Sequence, residues 1–131
     1  LLLKIAPDLS FEQIDDILEI VQTVNLDGII ATNTTIARSP LKTDAQTIES
    51  IGNGGLSGAP LSNRATEVIR YIHQKTNGDL VIIGVGGIDS PQAAKEKLAA
   101  GATLIQIYSG MVYSGPALIK GIKQSLVWVL C

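Results

Sequence analysis

The chain has 131 residues, 46% of them apolar, 17% charged and 4% aromatic, with a formal net charge of −2. This length predicts one domain or part of one, and the weak negative charge with few aromatic rings excludes a basic, base-stacking nucleic-acid surface. No run of eighteen apolar residues occurs, which excludes a membrane-spanning helix within this sequence; the single cysteine, Cys131, excludes an internal disulfide and fits a reducing compartment.

The first predicted element is the apolar strand Leu1-Leu2-Leu3-Lys4-Ile5. A strand this apolar wants neighbours on both edges and cover on both faces, so the chain is expected to be the C-terminal piece of a longer protein. A loop follows, and Ser10 with Gln13 forms a capping box ahead of Ile14, Ile17, Leu18 and Val21, spaced as a helix ending near Asn25. Gly28-Ile29-Ile30-Ala31-Thr32 is the second strand, an unalternating apolar run of the doubly covered, parallel kind. The long polar connection from Asn33 to Pro60 holds a short helical turn around Ala45 to Ile51; connections of this length in compact domains are functional or disordered. Leu61 to Asn77 reads as a helix, with Ser62 as its cap, Val68, Ile69 and Ile72 inward, and Gly78 as its stop.

The third strand, Leu80-Val81-Ile82-Ile83, runs into Gly84-Val85-Gly86-Gly87-Ile88-Asp89-Ser90-Pro91. Ser90 is placed to cap a helix and Pro91 to begin it, where a missing N–H does no harm. The fourth strand, Thr103 to Tyr108, ends in Ser109-Gly110, and a last helix starts near Pro116. Strands and helices alternate with no hairpin signal, which predicts a parallel α/β sheet. Four such units are half of an eight-stranded (β/α)8 barrel. An open doubly wound sheet is the alternative, but glycine turns after the last two strands favour the barrel, where such loops build a phosphate site.

Candidate site residues cluster where these strands end, the side on which parallel α/β folds bind ligands. Lys4 interrupts an apolar run; either it meets a negative or strongly accepting group, or it snorkels outward from a frayed end. Thr32-Asn33-Thr34-Thr35 offers donors and acceptors suited to a polar heterocycle, or else a turn that satisfies its own backbone. The Gly86-Gly87 turn and Ser109-Gly110 either present free N–H groups to an anion or make tight connections only. No nucleophile–base pair and no metal-ligand spacing is found. His73 reads as a surface side chain on its helix, Asp8, Asp27 and Asp89 as loop caps, and Asp15 and Asp16 as a solvated helix face. The chemistry is therefore expected from a cofactor, a segment outside this sequence, or both.

Taken together, KIAPDLS (4–10), DGIIATNTT (27–35), GGLSGAPL (54–61), IIGVGGIDS (82–90) and GATLIQIYSG (101–110) closely resemble the dihydroorotate dehydrogenase family. The IYSG ending and Gly115-Pro116 resemble its membrane-associated, quinone-using class rather than the soluble classes. The resemblance implies an FMN-containing (β/α)8 barrel that oxidises dihydroorotate to orotate in pyrimidine biosynthesis, with residues 1–131 as its strands five to eight. By position it implies flavin contacts from Lys4, Thr32, Gly58, Gly86, Gly87, Tyr108 and Ser109, with the phosphate at Gly86, Gly87, Tyr108 and Ser109. It implies substrate contacts from Asn33 and Thr34. The family's serine base, further asparagines and membrane-docking, quinone-guiding helices have no counterpart in this sequence, so neither Ser57 nor Ser109 is assigned as the base. The class implies peripheral association with a bacterial cytoplasmic membrane or the mitochondrial inner membrane. Two alternatives stand beside this reading: a soluble dihydroorotate dehydrogenase or other phosphate-binding flavin barrel, and a non-catalytic half-barrel that self-associates.

Overall fold

The computed structural model describes residues 1–39 and 41–127; Pro40 and residues 128–131, Cys131 among them, lie outside the described residues. Four parallel strands, β1 (Leu2–Ile5), β2 (Gly28–Ala31), β3 (Val81–Val85) and β4 (Leu104–Gln106), lie side by side in the order β1-β2-β3-β4. Spatial order that repeats sequence order has no reversal point, as in a winding barrel and unlike a doubly wound sheet.

Helices α1 (Phe11–Thr23), α3 (Ser62–Lys75) and α4 (Pro91–Ala99) return the chain between strands, and α6 (Pro116–Val127) follows the last. Between β2 and α3 lie the short α2 (Ala45–Ile51) and a 3-10 turn over Ala59–Leu61; α5 (Ser109–Ser114) comes directly after β4. Helix α1 begins at the expected capping box, Gln13 N–H donating to Ser10 Oγ and Ser10 N–H to Gln13 Oε1. Helix α4 begins as expected at Ser90, whose Oγ accepts from Ala93 N–H. Helix α3 differs from its expected start. Leu61 is the capping residue, no side chain caps the helix, and Ser62 is already helical, because its hydroxyl is engaged elsewhere.

Register sets the two faces of the sheet. Ile5, Ala31 and Gly84 align across β1, β2 and β3, and with Ile29 and Ile82 they face the core under the helices, where Ile14, Leu18, Val21, Val68, Ile69 and Ile72 pack. Fully burying each of these aliphatic side chains contributes about 1.5–3 kcal/mol. The adjacent row, Lys4, Ile30, Ile83 and Leu104, points the other way. The second layer of cover that such strands want is not supplied by the described residues of this chain. No element among the described residues lies over this second face, and Val81 and Leu104 are 39% and 58% exposed.

Two acidic side chains expected as caps or solvated surface tie elements together. Asp15 accepts from the Tyr71 hydroxyl and from Lys75, both at 2.8 Å, joining α1 to α3; it is not simply a solvated face. These hydrogen bonds, that from Lys75 first, hold its carboxyl below the usual carboxylate range. Asp8 accepts from the Thr35 hydroxyl and, at 3.1 Å, from Ile36 N–H. His73 is exposed, as expected.

Candidate functional site

The carboxyl ends of all four strands open on one cavity of about 280 Å³. Its walls include each of the nine residues singled out from the sequence: Lys4 at the end of β1, Thr32, Asn33 and Thr34 after β2, Gly58 in the long connection, Gly86 and Gly87 after β3, and Tyr108 and Ser109 after β4. Residues up to 105 positions apart thus meet because parallel strands all end on the same side.

Main-chain hydrogen bonds fix the strand ends. Thr32 N–H donates to Val85 O at 3.0 Å, and Asn33 N–H to Ile5 O at 2.7 Å. Asn33 divides its side chain between the two roles left open above. Its Oδ1 accepts from Thr34 N–H at 2.9 Å, a local turn bond, and its amide NH₂ has no acceptor among the described residues. Thr32 is buried and donates to Asn33 O at 3.0 Å. Lys4, by contrast, is exposed. The sequence left open a lysine meeting an acceptor; in the structure its ammonium meets none among the described residues, because it lies on the uncovered face of the sheet.

The glycine turn after β3 is shaped by close packing. Gly87 has φ +68°, and a Cβ there would stand 2.5 Å from Ser62 Cβ, 2.7 Å from its Cα and 2.9 Å from its N. The turn therefore rests directly on the first residue of α3, which a side chain would forbid. Gly87, Ile88, Ser109 and Gly110 line the cavity, and their main-chain N–H groups donate to no acceptor among the described residues. Unpaired main-chain donors on two turns bordering one cavity are the chemistry that can hold a phosphate or similar anion.

Gly110, expected with Ser109 as part of an anion-facing turn, also lines the cavity, and Ser57, Leu61, Val85, Ile88 and Gln106 line it without having been assigned a role there. Gln106 had a signal, since it lies two residues from Leu104 and so shares its face. Behind the glycine turn, Lys97 was also missed. It has no exposed surface, and its ammonium donates to Ser62 O at 2.9 Å, Ser62 Oγ at 3.1 Å and Thr66 Oγ1 at 2.6 Å. Burial pushes its pKa down to about 8. Its signal was positional: Lys97 occupies the buried stripe of α4 with Ala93, Ala94 and Ala100.

A sequence model described as dihydroorotate dehydrogenase matches residues 1–130. A protein of Thermosynechococcus vestitus named dihydroorotate dehydrogenase (quinone) is 58% identical over 97% of this chain and 36% of its own length. One of Christiangramia forsetii with the same name is 54% identical, again over 97% of this chain and 36% of its own. The chain thus spans about a third of the length of the curated relatives it matches. A crystal structure of DHODH from Eimeria tenella in complex with ferulenol superposes with a TM-score of 0.87 at 37% identity, over 98% of this chain and 34% of that one.

Proposed function

Since the chain belongs to the dihydroorotate dehydrogenase family, we propose that residues 1–131 act as the carboxyl-side half of an FMN-binding (β/α)8 barrel that oxidises dihydroorotate to orotate, with quinone as electron acceptor, in pyrimidine biosynthesis. The observation that carries this reading is the shared cavity: four strand ends contribute eight expected residues to it and the long connection a ninth, Gly58, with unpaired N–H groups and a lysine among the lining residues. These groups fit a flavin mononucleotide. A phosphate suits the donors of Gly87, Ile88, Ser109 and Gly110, and the glycine turn leaves no room for a side chain there.

When bound, a flavin would supply the two-electron acceptor for a hydride from the substrate ring and the means of delivering the pair to a quinone. This chain's residues bind and orient. Lys4 would supply positive charge to the isoalloxazine as it gains electron density, Thr32 and Gly58 would help hold the ring, and Tyr108 and Ser109 would help hold the phosphate. Asn33, through its unpaired amide NH₂, and Thr34 hold the carboxylate and carbonyl edge of the substrate. The proton is taken by a serine outside this sequence, and the membrane-docking, quinone-guiding segments also lie outside it. The intact enzyme associates peripherally with the bacterial cytoplasmic or mitochondrial inner membrane.

The test is flavin reduction in the full-length protein carrying this sequence. Dihydroorotate is expected to bleach bound FMN, and Lys4→Ala to slow that bleaching at least tenfold, the usual scale for removing a preorganised charge. An unchanged bleaching rate in Lys4→Ala would rule out the role of Lys4. Reoxidation by fumarate or NAD in preference to a quinone would place the protein in a soluble class instead.

A further inference from the structure

Lys97 is a buried cation with no carboxylate paired to it among the described residues. Its three hydrogen bonds go to a carbonyl and two hydroxyls in the first two turns of α3, none to a carboxylate. Glu96 and Asp89 act on it only at a distance, and the desolvation outweighs them. The position compounds the cost, since the amino end of a helix is its positive end and a cation there is repelled. As a tie between α4 and α3 alone, an uncharged side chain of similar shape would serve the fold at least as well.

What lies beyond Ser62 gives the charge a purpose. The stem of Lys97 runs beside Gly84, where a Cβ would stand 3.4 Å from Lys97 Cβ, and its head grips Ser62, on which Gly87 rests. Lys97, Ser62 and Gly87 therefore form a file ending at the cavity wall that carries the unpaired N–H groups. Cation, helix amino end and free N–H groups all have the same sign, and an anion in the cavity completes them.

We propose that Lys97 is a positioning residue that serves as the buried counter-charge of a phosphate held at the Gly86–Gly87 turn, strengthening its binding without touching it. This rests on the FMN reading above. The charge acts through low-dielectric protein across one residue, where it is screened far less than a surface charge. The hydrogen bonds to Ser62 and Thr66 hold the first turn of α3 as the seat of the glycine turn.

The test separates the phosphate from the rest of the flavin. Apoprotein of the full-length enzyme is titrated with FMN and with riboflavin, which lacks the phosphate, following the quenching of flavin fluorescence. Lys97→Met removes the charge and keeps the stem; Lys97→Gln removes the charge and keeps hydrogen-bond donors. Both are expected to weaken FMN about tenfold, the scale of one charge acting through protein, and to leave riboflavin unchanged. Equal weakening of both flavins, or of neither, would overturn the proposal by reducing Lys97 to a structural tie. Failure of both neutral variants to fold would overturn it too, because the charge would then serve the fold. Wild-type protein that binds neither flavin would instead sink the FMN reading itself.

Discussion

The carboxylate of Asp8 accepts from both the hydroxyl and the following N–H of the Thr35 segment, so the loop after β1 holds the loop after β2. Asn33 and Thr34, the two residues assigned to substrate, lie immediately before this anchor. Asp8→Ala is expected to raise the KM for dihydroorotate several-fold and leave FMN affinity unchanged, since charge-assisted hydrogen bonds at partly exposed sites are worth about 1 kcal/mol. Steady-state kinetics beside a flavin titration checks this. Parallel losses of substrate and flavin binding would show that Asp8 supports the whole cavity rather than one side of it.

Gly87→Ala places a methyl group against Ser62 in a left-handed backbone conformation. Overpacking and the positive φ together are expected to destabilise the protein by about 2–4 kcal/mol, and displacement of the turn to abolish FMN retention. Gly54→Ala is the control, because nothing lies within 4 Å of the added Cβ and the residue is outside the cavity wall. Denaturant midpoints and the flavin content of purified protein report the two effects separately.

Lys97 also makes a stability prediction. Burial holds its folded pKa at about 8, below the ordinary lysine value of 10.5, so between these values the unfolded chain holds a proton that the native protein has released. Stability contributed by this group therefore rises with pH across that window. The wild type is expected to be no more stable than Lys97→Met at pH 7, and to gain on it from pH 8 towards 10. Paired denaturant titrations at several pH values measure the gap, and a constant gap would mean that Lys97 stays charged throughout.

At the acid end, Asp15 carries the opposite sign. Hydrogen bonds from Lys75 and Tyr71 lower its pKa in the native state, so its stabilisation is present above the unfolded value of 3.8 and is lost as pH falls through the lower native one. Asp15→Asn is expected to be less stable than wild type near neutrality and to converge with it as the carboxylate protonates. Thermal melts from pH 7 to pH 2 follow the convergence.

The row of Lys4, Ile30, Ile83 and Leu104 on the uncovered sheet face bears on the 131-residue chain produced alone. Contiguous exposed apolar surface drives association, so this chain is expected to purify as colourless oligomers. A yellow monomer that turns over dihydroorotate would contradict both the missing half of the site and the assignment of the base to another segment.

Much of this architecture was legible in the residues because the signals were local. Ser10 with Gln13, and Ser90 before Pro91, mark helix starts through contacts within four positions, and glycines at strand ends mark the turns. The parallel sense of the strands followed from the alternation of elements, and their order from the glycine turns that favoured a barrel over a doubly wound sheet. What was not legible depended on pairs distant in the chain. Ser62 looked like a cap until Lys97, thirty-five residues later, claimed its hydroxyl. Asp15 looked like solvated surface until Tyr71 and Lys75 reached it. What covers the second face of β2 was not legible either, because hydropathy records how apolar a strand is, not which segment covers it.

The antiparallel bridge between Thr35 and Leu56 closes the long connection at its base, with hydrogen bonds of 3.0 and 2.8 Å between the two residues. Asn33 and Thr34 stand just before this clasp, and Gly58 just after it. A change of length or composition between about 42 and 53, or an inserted tag there, is consequently expected to leave the spacing of these cavity-lining groups unaltered.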